Sequence, residues 1–183
     1  QGNVYLAGNF AGTIDLGGGP LTSPGSTPTD MFIAKYSPAG AHLWSKRFGG
    51  SGNDTLRSLS LDAGGNLLLT GSYISGGVDF GGGPLGVVNS TEVFVAKLDA
   101  NGNHLWSYGF TGSGTDEGTG VAADPQGNVL VTGTFTGTIS FGGATLSTAG
   151  GNDIFVAKLN ASGAHVWSQS YGDATSQNTR GID

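Results

Sequence analysis

The chain has 183 residues, no cysteine, few charged side chains and no long apolar segment. Disulfide bonds and thiolate chemistry are therefore excluded, although the lack of cysteine does not fix the compartment in which the protein works. Charged residues make up 11% of the chain, and seven basic against thirteen acidic side chains give a net charge of −6. Nucleic acids and anionic membranes are recognised by basic patches, so neither is an expected partner. No apolar run approaches the roughly 20 residues that cross a bilayer, and we expect no membrane insertion.

A helical hydrophobic period is also missing, and glycine is abundant instead. The chain contains 36 glycines without the Gly-X-Y periodicity of collagen. Beside many Ser, Thr and Asn residues, glycine at this density indicates tight turns between short strands. The sequence therefore predicts an all-β protein.

Three copies of one pattern run through the chain and define its organisation. Each copy holds a Gly-Asn strand that ends in glycine, then a Phe-(Ile/Val)-Ala-Lys strand and a His-(Leu/Val)-Trp-Ser strand. These segments lie at 1–8, 32–35 and 42–45, at 64–71, 94–97 and 104–107, and at 126–133, 155–158 and 165–168. The tryptophans recur after 62 and 61 residues, a period that predicts stacked or radial units which bury their apolar faces against one another. We assign one domain, 1–183, with repeats 1–63, 64–125 and 126–183.

The middle copy predicts four strands, and the third of them is the most informative. The strands are expected at 59–61, 66–73, 93–98 and 104–110. Both faces of the strand from Val93 to Leu98 are mostly apolar, which indicates a strand covered on both sides. A four-stranded sheet covered on both faces and repeated around an axis is a propeller blade. We therefore predict three four-stranded blades of about 62 residues that form part of a larger or oligomeric propeller.

The run VFVAKLDANGNHLWS at 93–107 resembles the core hairpin of the bacterial beta-propeller repeat family often called seven-bladed beta-propeller (SBBP) repeats. The linking segments agree: GGSGND at 49–54 precedes a short strand, an Asp-x-x-Gly-Asn turn and a strand that ends in Thr-Gly. The likeness covers all three copies and extends more distantly to the Trp-bearing blades of quinoprotein propellers. It implies a secreted or surface-exposed bacterial protein, usually without an assigned activity. The chain departs from the family in its longer Gly-Gly loops and in having three repeats.

The tryptophans and histidines at equivalent repeat positions are the first candidate site residues. The tryptophans are either platforms on which sugars stack or large rings packed between blades, and we expect buried packing. The histidines lie two residues before them, on the same predicted strand face, and are either metal ligands or structural residues. Because they would be a blade apart, we expect structural histidines. The residues are Trp44, Trp106, Trp167, His42, His104 and His165.

Charged residues give two further expectations. The repeat lysines, Lys35, Lys97 and Lys158, are expected at the blade rim. There they could pair with the acids five residues earlier, in exposed ion pairs worth about 0–1 kcal/mol. Those acids are Asp30, Glu92 and Asp153.

The segment GGSGNDTLR at 49–57 also fits a calcium-binding nonapeptide, with Asn53 and Asp54 as candidate ligands. Such sites need tandem copies, and the next related segment follows 62 residues later. We therefore expect an inter-blade loop and no cofactor, with calcium as the alternative.

No nucleophile, base and acid form a recognisable catalytic set, and Asp116-Glu117 is an acidic pair without a partner acid. We expect a non-enzymatic extracellular or cell-surface scaffold for recognition or self-assembly. A lectin-like carbohydrate-binding propeller and a fragment of a secreted hydrolase are the alternatives. The chain opens at Gln1 within a second strand and ends at 180–183 on a first strand. We expect this last strand to pair with the 3–10 edge of another copy or of a further blade, and protein or glycan ligands are the other expected partners.

Overall fold

The computed structural model describes residues 2–24, 29–74, 77–86 and 88–183, and the regular elements in these ranges are all β-strands. The strands form three larger antiparallel sheets and two small hairpins. The predicted all-β class is therefore confirmed. In the described ranges, no helix is long and apolar enough to span a membrane.

Sheet I and its hairpin occupy the first third of the chain. The strands are β1 (Val4–Phe10), β2 (Thr13–Asp15), β3 (Pro20–Thr22), β4 (Asp30–Tyr36) and β5 (His42–Phe48). Sheet I has the order β1-β4-β5, and β2 pairs with β3.

Sheets II and III each contain four strands. Sheet II is built in chain order from β6 (Thr55–Leu61), β7 (Leu67–Tyr73), β8 (Glu92–Leu98) and β9 (His104–Phe110). The last third contains β10 (Glu117–Ala123), β11 (Val129–Phe135), β12 (Thr138–Ile139), β13 (Leu146–Ser147), β14 (Asp153–Leu159) and β15 (His165–Tyr171). Sheet III has the order β10-β11-β14-β15, and β12 pairs with β13.

The prediction of three four-stranded sheets is wrong for sheet I, which has three strands in the described part of the chain. Sheets II and III begin with β6 and β10, and no described strand takes the equivalent place beside β1. One edge of β1 therefore keeps its backbone groups without a strand partner among the described residues. Such an edge is a template for pairing with another strand.

The turns that lead from one strand to the next are fixed by Asp-x-x-Gly-Asn segments. Between β6 and β7, Asp62 Oδ1 accepts hydrogen bonds from the Gly64 and Asn66 amides, at 2.9 Å each. The Asn66 side chain donates to the other Asp62 oxygen, also at 2.9 Å. Gly65 has a φ of +79°, a left-handed conformation that favours glycine. The same arrangement recurs at 99–103 and 124–128.

The core lies between the sheets, because strand side chains alternate between two faces. Toward sheet I, sheet II presents Leu67, Leu69 and Phe94, which are at most 1% exposed. Toward sheet III it presents Val93 and Val95, which are fully buried. The expectation that the third strand is covered on both sides is therefore confirmed.

Candidate interaction surfaces and sheet junctions

The three sheets form a row in which sheet II lies between sheets I and III. Strand positions that are apolar and buried inside this row are exposed at its two ends. Val4 and Leu6 on β1 are 56% and 46% exposed. Their counterparts at the same strand positions of sheets II and III are at most 1% exposed, because the preceding sheet covers them. Those counterparts are Leu67, Leu69, Val129 and Val131.

The other end of the row behaves in the same way on the opposite face. Tyr171 at the end of β15 is 53% exposed, whereas the matching Phe48 and Phe110 are 6% and 8% exposed. Sheets II and III cover these two phenylalanines, and no described element covers Tyr171. The two end faces differ in sequence, so a contact between them would be heterologous and head to tail.

Two of the three tryptophans pack against the hairpin turn of the following sheet. A side-chain carbon added at Gly102 would lie 3.0 Å from the Trp44 ring, and one added at Gly163 would lie 3.1 Å from the Trp106 ring. Trp106 Nε1 also donates to Ala161 O at 3.1 Å. These two rings are half-buried, but Trp167 is 39% exposed. The expectation of three buried tryptophans is therefore not met: two are half-buried, and Trp167 is exposed because no described sheet follows it.

Replacing Trp106 by Ala is expected to destabilise the protein much more than replacing Trp167. Trp106→Ala removes the inter-sheet packing and the Ala161 hydrogen bond, and should cost about 3 kcal/mol. Trp167→Ala should cost roughly 1 kcal/mol or less, because the ring lacks the second sheet. Urea unfolding of both variants at one protein concentration measures the difference. Equal losses would contradict the packing role.

The histidines and tryptophans lie on opposite faces of their strands, not on the same face. A register shift in the pairing of β4 with β5 places Trp44 opposite Lys35 and His42 opposite Tyr36. Equivalent shifts occur in sheets II and III. The expected common face is therefore wrong, because a bulge between the two residues breaks the period of two.

Each histidine ring covers a glycine of the Gly-rich loop in its own repeat. A side-chain carbon at Gly18, Gly82 or Gly143 would lie 2.2 Å from Cε1 of the histidine that covers it. The rings of His104 and His165 also share hydrogen bonds of 3.0 and 3.1 Å with serine hydroxyls of their own strands. In the described ranges, no three His, Asp or Glu side chains come together as metal ligands do.

The sequence suggested ion pairs between the repeat lysines and the acids five residues before them. In the structure, two of these lysines pair with other acids. Lys97 is 2.8 Å from Asp62, and both side chains are at most 8% exposed. Lys158 is 2.7 Å from Asp124. Burial alone would raise the pKa of Asp62, but hydrogen bonds from Lys97 and Asn66 lower it to about 2. The lysines therefore hold the Asp-x-x-Gly-Asn turns, whereas the acids five residues earlier have another role.

Those acids are buried where one sheet meets the next. Asp30, at the start of β4, is fully buried and accepts a hydrogen bond from Arg47. Asp54, just before β6, is also fully buried and accepts the Gly50 amide at 2.7 Å. Burial raises the pKa of Asp54 to about 6, and the nearby charge of Asp30 adds to this effect.

The next junction repeats the acidic pair without an arginine. Glu92 accepts the Gly112 amide at 2.9 Å, and Asp116 accepts the Thr136 amide at 3.2 Å. Burial raises the pKa of Asp116 to about 7, and the Glu92 carboxyl that it contacts raises it further. Glu92 is thus the partner acid of Asp116 that sequence reasoning missed. Its signal was the recurrence of an acid at 30, 92 and 153.

The third junction carries an amide in place of the second acid. The backbone amides of Asp54, Asp116 and Gln177 bond to the carbonyls of residues 29, 91 and 152, which makes them equivalent positions. Asp153 therefore faces a segment with Gln177 instead of an aspartate. The Gln177 side chain is half-buried and bonds to Asp173 and Thr175, so this junction has no second buried acid.

The candidate calcium loop is held by protein hydrogen bonds. Asn53 Oδ1 accepts the Thr29 amide at 3.0 Å, and Asp54 Oδ2 accepts the Gly50 amide at 2.7 Å. These two oxygens therefore already have donors from the protein, and the loop connects sheet I to sheet II.

Comparison with known proteins identifies the repeat. Residues 100–138 match the family described as beta-propeller repeat (SBBP). These residues therefore resemble one beta-propeller repeat. The matched stretch runs through β9, β10 and β11, so it crosses from sheet II to sheet III. The resemblance drawn from the sequence is thereby confirmed.

Two curated proteins are similar to most of the chain. An uncharacterized WD repeat-containing protein of Acanthamoeba polyphaga mimivirus is 29% identical over 141 residues, which cover 74% of this chain and 10% of that protein. The regulatory protein FlaEY of Caulobacter vibrioides is 26% identical over 140 residues, which cover 73% of this chain and 14% of that protein. The chain thus spans a small part of the length of the curated relatives that it matches.

Proposed function

We propose that this beta-propeller repeat protein is a non-enzymatic scaffold that works by adding further blades, from other copies or from further repeats, at its two open ends. The observation that carries the proposal is the exposure of Val4 and Leu6, whose counterparts inside the row are buried. Covering an exposed apolar side chain contributes about 1.5–3 kcal/mol. The unpaired edge of β1 adds backbone hydrogen bonds to this gain.

Where another copy supplies the incoming strand, that strand is the last segment of the copy. Gly181 lies against Gly120 of β10, in the position that the first strand of a further blade would take. Ile182 is equivalent to Val121, which pairs with Val131 in sheet III. Residues 180–183 would therefore pair with β1 of a second copy, with Ile182 opposite Leu6. Two copies would give a six-bladed ring, and a contact that does not close would give a filament.

The mass of the protein in solution tests this proposal. Analytical ultracentrifugation between about 1 and 100 micromolar should show dimers or larger species that dissociate on dilution. Removal of residues 178–183 should shift the protein toward monomer. A full-length chain that stays monodisperse and monomeric at the highest concentration would contradict the proposal.

The proposal places the protein outside the cell or at the cell surface of a bacterium, which is what the SBBP resemblance implies. It includes no catalysis. The pair considered for a hydrolase serves other contacts, because Asp116 is buried beside Glu92 and Glu117 forms an ion pair with Arg57 at 2.6 Å. Binding to a glycan array would favour the lectin alternative, and Trp167 is the exposed ring to mutate in that case.

We also propose that folding requires no bound metal. Asn53 Oδ1 and Asp54 Oδ2 already accept backbone amides. Asp54 Oδ1 has no hydrogen-bond partner among the described residues, but one oxygen falls far short of the roughly six to eight that calcium takes. Thermal midpoints in excess chelator and in millimolar calcium are expected to coincide. A rise of several degrees with calcium, lost in an Asp54→Asn variant, would show that the loop is a calcium site.

A further inference from the structure

Lys35 is a buried cation that lacks the carboxylate partner of its two counterparts. Lys35 is 8% exposed, and its ammonium donates to Ala100 O at 2.7 Å. It also lies 5.2 Å above the Tyr5 ring. Lys97 and Lys158 instead contact aspartates of the Asp-x-x-Gly-Asn turns. No described carboxylate forms an ion pair with Lys35.

Asn3 lacks the same partner. In the other copies, the backbone amide and the side-chain amide of the turn asparagine both donate to the aspartate that also contacts lysine. For Asn128 these distances to Asp124 are 2.9 and 2.8 Å. The Asn3 side chain donates to no acceptor in the described ranges. In sheets II and III, the lysine ammonium and the two amides of the asparagine bind one carboxylate. In sheet I the same three donors have no described carboxylate to bind.

A cavity of about 370 Å³ lies beside these donors. Asn3, Tyr5 and Lys35 line one side, and Leu61 and the turn 63–65 of sheet II line the other. The cavity is larger than a carboxylate needs, and Asn3 and Tyr5 in its lining lie at the start of β1. A strand that pairs with β1 as β10 pairs with β11 would end at this cavity.

We propose that Asn3 and Lys35 form a carboxylate site that receives an aspartate at the end of the strand added to β1. This inference rests on the proposed function and names the chemistry of the incoming unit. The aspartate neutralises the buried ammonium and fixes the register of the added strand, because a slip of one residue would place the carboxylate on the other face. A further repeat with the sequence of residues 117–125 supplies such an aspartate, whereas residues 180–183 of another copy reach only the position of Ala122.

Extension of the chain tests the site itself. Asp-Pro placed before Gln1 reproduces the spacing of Asp124 to Asn128, and Asn-Pro is the matched control. The Asp extension should raise the thermal midpoint by roughly 3–6 °C over the Asn extension. The difference should vanish in Lys35→Gln and shrink in Asn3→Ser, a milder variant that keeps the lysine. Equal midpoints for the two extensions would overturn the carboxylate site and leave the proposed assembly untouched.

A peptide tests whether a separate strand can supply the aspartate. The peptide carries the sequence of residues 117–125, and its control carries Asp124→Asn. Calorimetry measures the binding of each peptide to the full chain. The affinity of the control peptide should be at least about tenfold weaker. Equal binding would overturn the role of the aspartate but support the open edge. Binding of neither peptide at millimolar concentration would count against the open edge, and the inference would be lost with it.

Discussion

The protein is expected to be most stable near pH 4 to 5 and to lose stability as the pH rises toward 8. Asp54 and Asp116 have folded pKa values of about 6 and about 7, against an ordinary value of 3.8. A carboxyl that binds its proton more tightly when folded stabilises fully below the unfolded pKa. That stability is lost as the pH rises through the folded pKa. One pKa unit corresponds to about 1.4 kcal/mol, so Asp54 alone accounts for about 3 kcal/mol.

The turn aspartates act in the opposite direction and set the acid limit. Hydrogen bonds, chiefly from Lys158, lower the pKa of Asp124, and the pKa of Asp62 is also lowered, to about 2. Their stabilisation is present above the unfolded pKa near 4 and is lost as the pH falls below it. Between pH 5 and 8 both stay ionised in the folded and unfolded states. Neither turn aspartate therefore contributes to the slope in that window.

Urea unfolding at intervals from pH 4 to 8 measures this profile, and Asp116→Asn identifies its source. The asparagine keeps an oxygen for the Thr136 amide and offers an N–H to Glu92. The variant should be more stable than the wild type at pH 8 and should show a smaller slope. Glu117→Gln is the matched control, because Glu117 is the neighbouring acid and lies at the surface beside Arg57. A wild-type profile that is flat or rises from pH 5 to 8 would contradict the prediction.

Local sequence signals were enough to predict most strands and turns. In the middle repeat, three of the four expected strands agree with the structure within one residue at each end. Turn chemistry explains this success, since Asp62 and Gly65 act within a few residues of their own positions. The first strand was expected at 59–61 but begins at Thr55, because a bulge between Leu56 and Ser58 interrupts its alternation.

The contacts between sheets could not be predicted in the same way. Asp30 and Asp54 are 24 positions apart, and their shared burial depends on how two sheets meet. The opposite faces of His42 and Trp44 depend on one bulge, which has no distinctive residue in this chain. The sequence signal for the junction acids was the recurrence of an acid at equivalent positions of the three repeats. It shows which positions recur, but it does not show whether their common environment is the surface or a junction.

The glycines at the repeated Thr-Gly strand ends of sheets II and III leave no room for a side chain. A side-chain carbon at Gly71 would lie 1.9 Å from the Thr55 carbonyl oxygen, and one at Gly133 would lie 2.0 Å from the Glu117 carbonyl oxygen. These carbonyls belong to the bulged first strands of sheets II and III, which cannot move without breaking the ladder. Gly71→Ala and Gly133→Ala should therefore each cost about 3 kcal/mol or more in urea unfolding. Gly86→Ala, which meets nothing within 4 Å, is the control for the change itself.

Gly8 occupies the equivalent position on β1, where no described strand lies beside it. A side-chain carbon there would meet the edge of the Phe32 ring at 3.1 Å and no backbone atom. Gly8→Ala should therefore change the stability of the single chain by about 1 kcal/mol or less. If another strand adds to β1 as β6 adds to β7, however, its bulged carbonyl would meet the new methyl group. We expect the Gly8→Ala protein to remain folded and to sediment as a monomer at concentrations where the wild type associates. Association that survives this change would show that the contact between copies does not use the β1 edge in the register of sheets II and III.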